Sequence, residues 1–227
     1  MAFYLYVVLA FVAACYAEAA SNVASPSFVC KSNNAYYKID ASCDSYIQCN
    51  GYVPTTLTCP DGLHYNPDVK WPNYPCGYPM DVPCLGRATQ PAQSTPDCPH
   101  KYGYFQSPIA SSEDCGHFRL CVDGHPMEME CPSGLAFNPS SGRCDWPDQV
   151  PSCKANDFLG FSCPPAPLGE NGELLDVIYN FKHPDSCFYF FSCQQGRARL
   201  LSCDPGLAFD AASSRCVDED LVHCSHQ

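Results

Sequence analysis

The sequence predicts a small disulfide-rich, mostly β fold, laid out as three tandem six-cysteine modules of short strands and hairpins. Three observations predict it. Nineteen of the 227 residues are Cys, about 8%, near the level that marks a disulfide scaffold. Eighteen of the nineteen fall into three sets of six that share one internal spacing. Pro is frequent, at 22 residues, and no segment sustains a 3.6-residue apolar period.

The first element is a leader. Residues 1–17 read MAFYLYVVLAFVAACYA, apolar from Ala2 to Ala14 and ending in small residues. Cys15 and Ala17 suit the −3 and −1 positions of a signal peptidase site, so residues 1–17 are expected to be a signal peptide. The stretch is shorter than the ~20 residues a membrane span needs. Cleavage removes Cys15 and leaves an even eighteen cysteines, so that no thiol need stay free. The expectation is a secreted protein of an oxidising compartment, with no membrane association after cleavage.

The modules follow at residues 30–84, 98–153 and 163–224. Their cysteines are Cys30, Cys43, Cys49, Cys59, Cys76 and Cys84, then Cys98, Cys115, Cys121, Cys131, Cys144 and Cys153, then Cys163, Cys187, Cys193, Cys203, Cys216 and Cys224. In every set the second, third and fourth cysteines read C-x5-C-x9-C. The gap from first to second is 12, 16 and 23 residues, and from fourth to fifth 16, 12 and 12. Fixed gaps belong to a stapled frame, and variable gaps to surface loops. Such modules are too small to fold on an apolar core alone.

Other residues recur in register. An aromatic stands three residues after each second cysteine: Tyr46, Phe118 and Phe190. A glycine follows each third cysteine (Gly51, Gly124, Gly196), and Asp123-Gly124 is a strong hairpin turn. After each fourth cysteine runs G-L-x-aromatic-[Asn/Asp], ending in Tyr65-Asn66, Phe137-Asn138 and Phe209-Asp210. Between modules lie residues 85–97, polar and Pro-containing, and the short stretch 154–162, both read as linkers.

These residues resemble the peritrophin-A, or type-2, chitin-binding domain of arthropods. The frame, the aromatic after the second cysteine, the G-L-x-aromatic run and Cys144-Asp145-Trp146-Pro147 carry the resemblance. Three such modules with short linkers and no catalytic unit are similar to the three-domain cuticular proteins analogous to peritrophins, also called obstructors. The resemblance implies a first–third, second–sixth, fourth–fifth pairing: Cys30–Cys49, Cys43–Cys84, Cys59–Cys76; Cys98–Cys121, Cys115–Cys153, Cys131–Cys144; Cys163–Cys193, Cys187–Cys224, Cys203–Cys216. It implies chitin as the partner, with other matrix proteins beside it, in a cuticle or a peritrophic matrix. No cofactor is implied.

Chitin is neutral and extended. Its sugar rings offer apolar C–H faces, so a binder needs exposed rings and a few polar groups on a rigid frame. The candidates are Tyr65, Asn66, Tyr78, Phe137, Asn138, Trp146 and Phe209. Tyr46, Phe118 and Phe190 are weighted towards core, while the aromatic of the G-L-x-aromatic run stays open between core and ligand. Asn66 and Asn138 supply either a polar contact or a turn. Trp146 and Tyr78 hold equivalent places, and module three has Asp218 there. Module two carries the fullest set, which predicts the strongest binding there and the weakest in module three.

Other classes fit less well. A formal charge of −12 argues against nucleic acid and against anionic lipid. A glycosidase needs paired carboxylates across a cleft in a sizeable scaffold, so no catalytic residue is expected. A disulfide frame consumes the cysteines, and no metal site is expected. The alternative is a secreted defence or protease-inhibitor protein on the same kind of scaffold.

Overall fold

The computed structural model describes residues 28–224. The predicted signal peptide, residues 1–17, lies outside them.

One plan is repeated three times. In module one, β1 (Ala35–Lys38), β2 (Ser45–Asn50) and β3 (Val53–Thr58) form an antiparallel sheet in that order, and β4 (His64–Tyr65) pairs with β5 (Cys76–Gly77). Module two has the sheet β6 (Gly103–Gln106), β7 (His117–Val122), β8 (His125–Glu130) and the hairpin β9 (Ala136–Asn138), β10 (Arg143–Asp145). After a one-turn helix α1 (Ala155–Leu159), module three has β11 (Ile178–Lys182), β12 (Tyr189–Gln194), β13 (Arg197–Ser202) and then β14 (Leu207–Asp210), β15 (Arg215–Asp218). The predicted fold class, small, disulfide-rich and mostly β, is the one observed.

Turn chemistry explains the long hairpins. The two residues joining β7 to β8, Asp123 and Gly124, have φ of 50° and 77°, and Gln195 and Gly196 between β12 and β13 have 51° and 78°. Positive φ at both central positions gives the turn whose twist matches the strands it joins. In module one the glycine comes first, so Tyr52 takes φ of 62° beside Gly51.

Nine disulfides staple the modules, each joining first to third, second to sixth and fourth to fifth cysteine. They stand in for core volume that chains this short do not supply. A stacked aromatic pair recurs in the core of each module, and module three adds Phe161 stacked on the buried Phe191 at 4.2 Å. Tyr46 lies on Tyr65, with ring centroids 5.0 Å apart and planes 12° apart. Phe118 lies on Phe137 at 5.1 Å and 17°, and Phe190 on Phe209 at 4.8 Å and 12°. The hairpin is hung on the sheet by a recurrent bond. The N–H groups of Tyr65, Phe137 and Phe209 donate to the carbonyls of Cys43, Cys115 and Cys187.

The linkers differ from free tethers. Residues 85–97 are strapped to module one: Cys43 N–H donates to the Ala88 carbonyl, and Ala88 N–H to that of Ala41. Gln90 donates from its backbone N–H to Asp44 Oδ2 and from its side chain to the Cys59 carbonyl. In the second linker α1 lays Phe158 against the cluster of Cys115, Ala136 and Val150. Polar composition signalled a loop in each case, but the bonding partners lie in the module, out of reach of local pattern.

Candidate functional site

The structure withdraws three candidates from the surface. Tyr65, Phe137 and Phe209 are only 2%, 3% and 1% exposed. Each is the inner half of a stacked pair, so neither ring face is open to a sugar. This corrects their reading as sugar contacts. The physical reason is scarcity, since each module has few large apolar side chains and the hairpin's aromatic is the one that reaches the sheet. Burial also pushes the Tyr65 and Tyr46 hydroxyls above the ordinary tyrosine range.

Asn66 and Asn138 are turn formers. Asn66 Oδ1 accepts from the N–H of Asp68 at 2.9 Å, and Asn138 Oδ1 from that of Ser140 at 3.0 Å. In module three Asp210 accepts from the N–H groups of Ala212 and Ser213 and from the Ser213 hydroxyl. The Ser213 hydroxyl bond chiefly holds that carboxyl below its ordinary pKa.

Tyr78 and Trp146 meet the following module. The Tyr78 ring lies 4.9 Å from that of Tyr104 in module two. Trp146 is half-buried and carries the Arg199 guanidinium of module three 4.7 Å over its ring. One face of the indole is therefore already occupied by a cation. In module three the equivalent residue, Asp218, caps a short helical turn by accepting from Asp220 N–H.

The glycine of the G-L-x-aromatic run obeys the same rule. All three have positive φ, at 93°, 81° and 85° for Gly62, Gly134 and Gly206. A Cβ on Gly62 would lie 1.9 Å from the Tyr102 carbonyl oxygen of module two. One on Gly134 would lie 2.6 Å from Leu200 Cβ of module three, and one on Gly206 would meet nothing within 4 Å. Sequence reasoning saw the repeat of these positions but missed that they face a neighbour.

Asp61, 2% exposed, closes the first junction. It accepts from the His100 ring at 2.8 Å, from Gln93 N–H at 2.8 Å and from Lys101 N–H at 3.0 Å. Burial alone pushes this carboxyl up. The bonds from His100, Gln93 and Lys101 together outweigh that and hold it below its ordinary value of 3.8. A depressed folded pKa means stabilisation that is present above the unfolded value and lost as pH falls through the folded one. The junction is expected to hold at neutral pH and loosen below about pH 4. Amide exchange at Gln93 and Lys101, corrected for intrinsic rate, checks this, and unchanged protection down to pH 2 would contradict it.

A second buried carboxylate among the described residues, Asp44, accepts from the Ser42 hydroxyl and Gln90 N–H. Both buried acids are thus engaged in holding the linker. Cys43, His64 and Cys84 also lie close together. The two cysteines form a disulfide without thiolate charge, and His64 Nδ1 is 2.7 Å from the Val82 carbonyl.

Exposed rings lie elsewhere. The long fourth-to-fifth loop of module one presents Trp71, 38% exposed, and Tyr74, 61% exposed. Tyr36 of β1 backs the Trp71 ring at 5.6 Å. Module three exposes Tyr179 and Phe188, whereas module two exposes Ile109, Val122, Met127 and Met129. Among the described residues no helix is long and apolar enough to cross a membrane.

The chitin-binding peritrophin-A domain profile matches residues 30–84, 98–153 and 178–224. The third match begins at β11 and omits Cys163, which lies before the longest first-to-second gap. The chain is 35% identical over 195 residues to protein obstructor-E of Drosophila melanogaster, covering 82% of this chain and 77% of that protein. It is 35% identical over 112 residues to peritrophin-1 of Anopheles gambiae, covering 47% of this chain and 71% of that one.

Proposed function

This chain belongs to the chitin-binding peritrophin-A domain family, and on that premise we propose that it is a secreted, non-enzymatic matrix protein that ties chitin chains together through several modules. The observation that carries the reading is three matches to a chitin-binding domain in succession, over most of the chain. The engaged state of Asp44 and Asp61 supports a binding role, because neither carboxylate is left for acid–base work on a glycosidic bond.

A platform in module one is supported by its exposed rings. Trp71 offers a broad flat face, Tyr36 fixes it from behind, and Tyr74 stands in the same loop. Stacking on a sugar's C–H face needs this kind of open, pre-positioned ring. The rings of module two are less open: Phe137 is core and Trp146 lies under Arg199. Module one, with Tyr179 and Phe188 of module three, is therefore the better sugar surface. Several weak sites on one polymer gain effective concentration, and avidity reaches ~10²–10⁴ without new contacts. Sites on different fibrils would cross-link them instead.

The test is retention of the whole secreted chain on chitin beads. Wild type is expected to bind and to elute with soluble chitin oligomers. Trp71→Ala is expected to lose about 2 kcal/mol, roughly thirtyfold, if the ring is a stacking hot spot. Its disulfides and fold are expected to survive, because the ring is surface-borne. Wild type that passes through chitin beads would end the proposal.

A further inference from the structure

We infer that the cleft between modules one and two is a second kind of sugar site, one that takes a single N-acetylhexosamine residue. The inference rests on the chitin-binding reading above. The cleft has a volume of about 360 Å³, at the lower end of the roughly 300–1,000 Å³ common for small-ligand sites. That is room for a sugar ring with its acetamido group, not for a long run of polymer.

Its walls suit this ligand. Leu63 and Met80 come from module one, and Tyr104 and Phe105 from module two. Together they offer apolar surface to an acetamido methyl and a ring's C–H face. Ser140 and His100 add hydroxyl and imidazole groups for a neutral, hydroxyl-rich ligand. The imidazole is fixed before any ligand arrives. Asp61 holds one nitrogen, and Phe105 lies nearly parallel to the ring, with planes 17° apart and centroids 6.2 Å apart. Polar groups already oriented cost less entropy on binding.

The construction recurs. A cleft of about 380 Å³ lies between modules two and three. Ser133 and Leu135 line it at the positions that Asp61 and Leu63 hold in the first, together with Trp146 and with Tyr189 of module three. The same places in the upstream module line a cleft each time another module docks. Sites of this kind are therefore counted by junctions, while exposed platforms are counted by modules. An isolated module would lack them.

Methionine methyl resonances of the full secreted chain test this. Met80 lines the first cleft, whereas Met127 and Met129 sit exposed on β8 and serve as internal controls. Chitotriose is titrated in, with chitin-bead retention measured in parallel. The expected result is a saturable shift of the Met80 methyl with Met127 and Met129 unmoved, and no shift with a glucose trimer. Ser140→Trp, which places an indole at an exposed position on the rim, is expected to weaken the Met80 response at least tenfold and leave bead retention in place. Its fold is checked by the unchanged Met127 and Met129 signals and by nine intact disulfides. Bead retention with an unmoved Met80 in the wild type would overturn the cleft and leave the chitin-binding reading standing. Loss of both would overturn the reading beneath it. An equal Met80 response to the glucose trimer, or in Ser140→Trp, would also overturn the site.

Discussion

Gly62→Ala is expected to drive modules one and two apart, while the matched change Gly206→Ala leaves the chain's dimensions unchanged. The two glycines hold equivalent positions and nearly the same φ, 93° and 85°. Any L side chain there bears the strain of the left-handed region, about 1–2 kcal/mol. Only Gly62 faces a neighbour. A methyl group 1.9 Å from the Tyr102 carbonyl oxygen cannot be accommodated by turning a side chain, because the obstacle is backbone. Module two must retreat, and with it go the Asp61 bonds to His100 and Lys101. Hydrogen bonds to a charged group are each worth about 1.5–3 kcal/mol. The total loss is therefore several kcal/mol for Gly62→Ala. Gly134→Ala should likewise push module three back, since the obstacle at 2.6 Å is Leu200 Cβ, an atom that its own backbone holds in place. Small-angle scattering and proteolysis of residues 85–97 provide the readout. If Gly62→Ala and Gly206→Ala gave the same radius of gyration and cleavage rate, the docking of module two on Gly62 would be refuted.

Phe137→Ala is expected to unfold module two within its disulfides, at a cost of about 3–5 kcal/mol. The ring is 3% exposed and stacked on Phe118, and the pair adds about 0.5–1.5 kcal/mol beyond area burial. A module this small carries little stability beyond its staples, so the loss removes its cooperative transition. Phe137→Leu should restore most of it, because the volume is kept while the stacking is lost. Dispersion of the amide spectrum of β7 and β8 reports the outcome. Retained dispersion with reduced chitin binding would show instead that the ring contacts sugar, the role assigned here to Trp71.

Much of the fold was legible because it is written in short spacings. The repeated C-x5-C-x9-C frame set the number of modules. Asp123-Gly124 marked a hairpin, because positive φ at adjacent positions is a property of two residues and their strands. Tyr46, Phe118 and Phe190 are weighted towards core, while Tyr65, Phe137 and Phe209 stay open between core and ligand. In the fold the two stack on each other in every module, and only Phe190 of the six rings stays half-buried.

Tertiary structure alone decided which rings are open. Trp146 and Tyr78 read as surface platforms, since local spacing does not show which groups cover them. The next module does, through Arg199 and Tyr104. Trp71 lay in a loop of irregular length, where no repeat drew attention to it, and it is among the exposed rings. The sequence by itself determined what each module is, because a module's turns and staples depend on residues close along the chain. Only the fold decided what each module shows to solvent, because exposure is set by groups far apart in sequence that docking brings within a few ångströms.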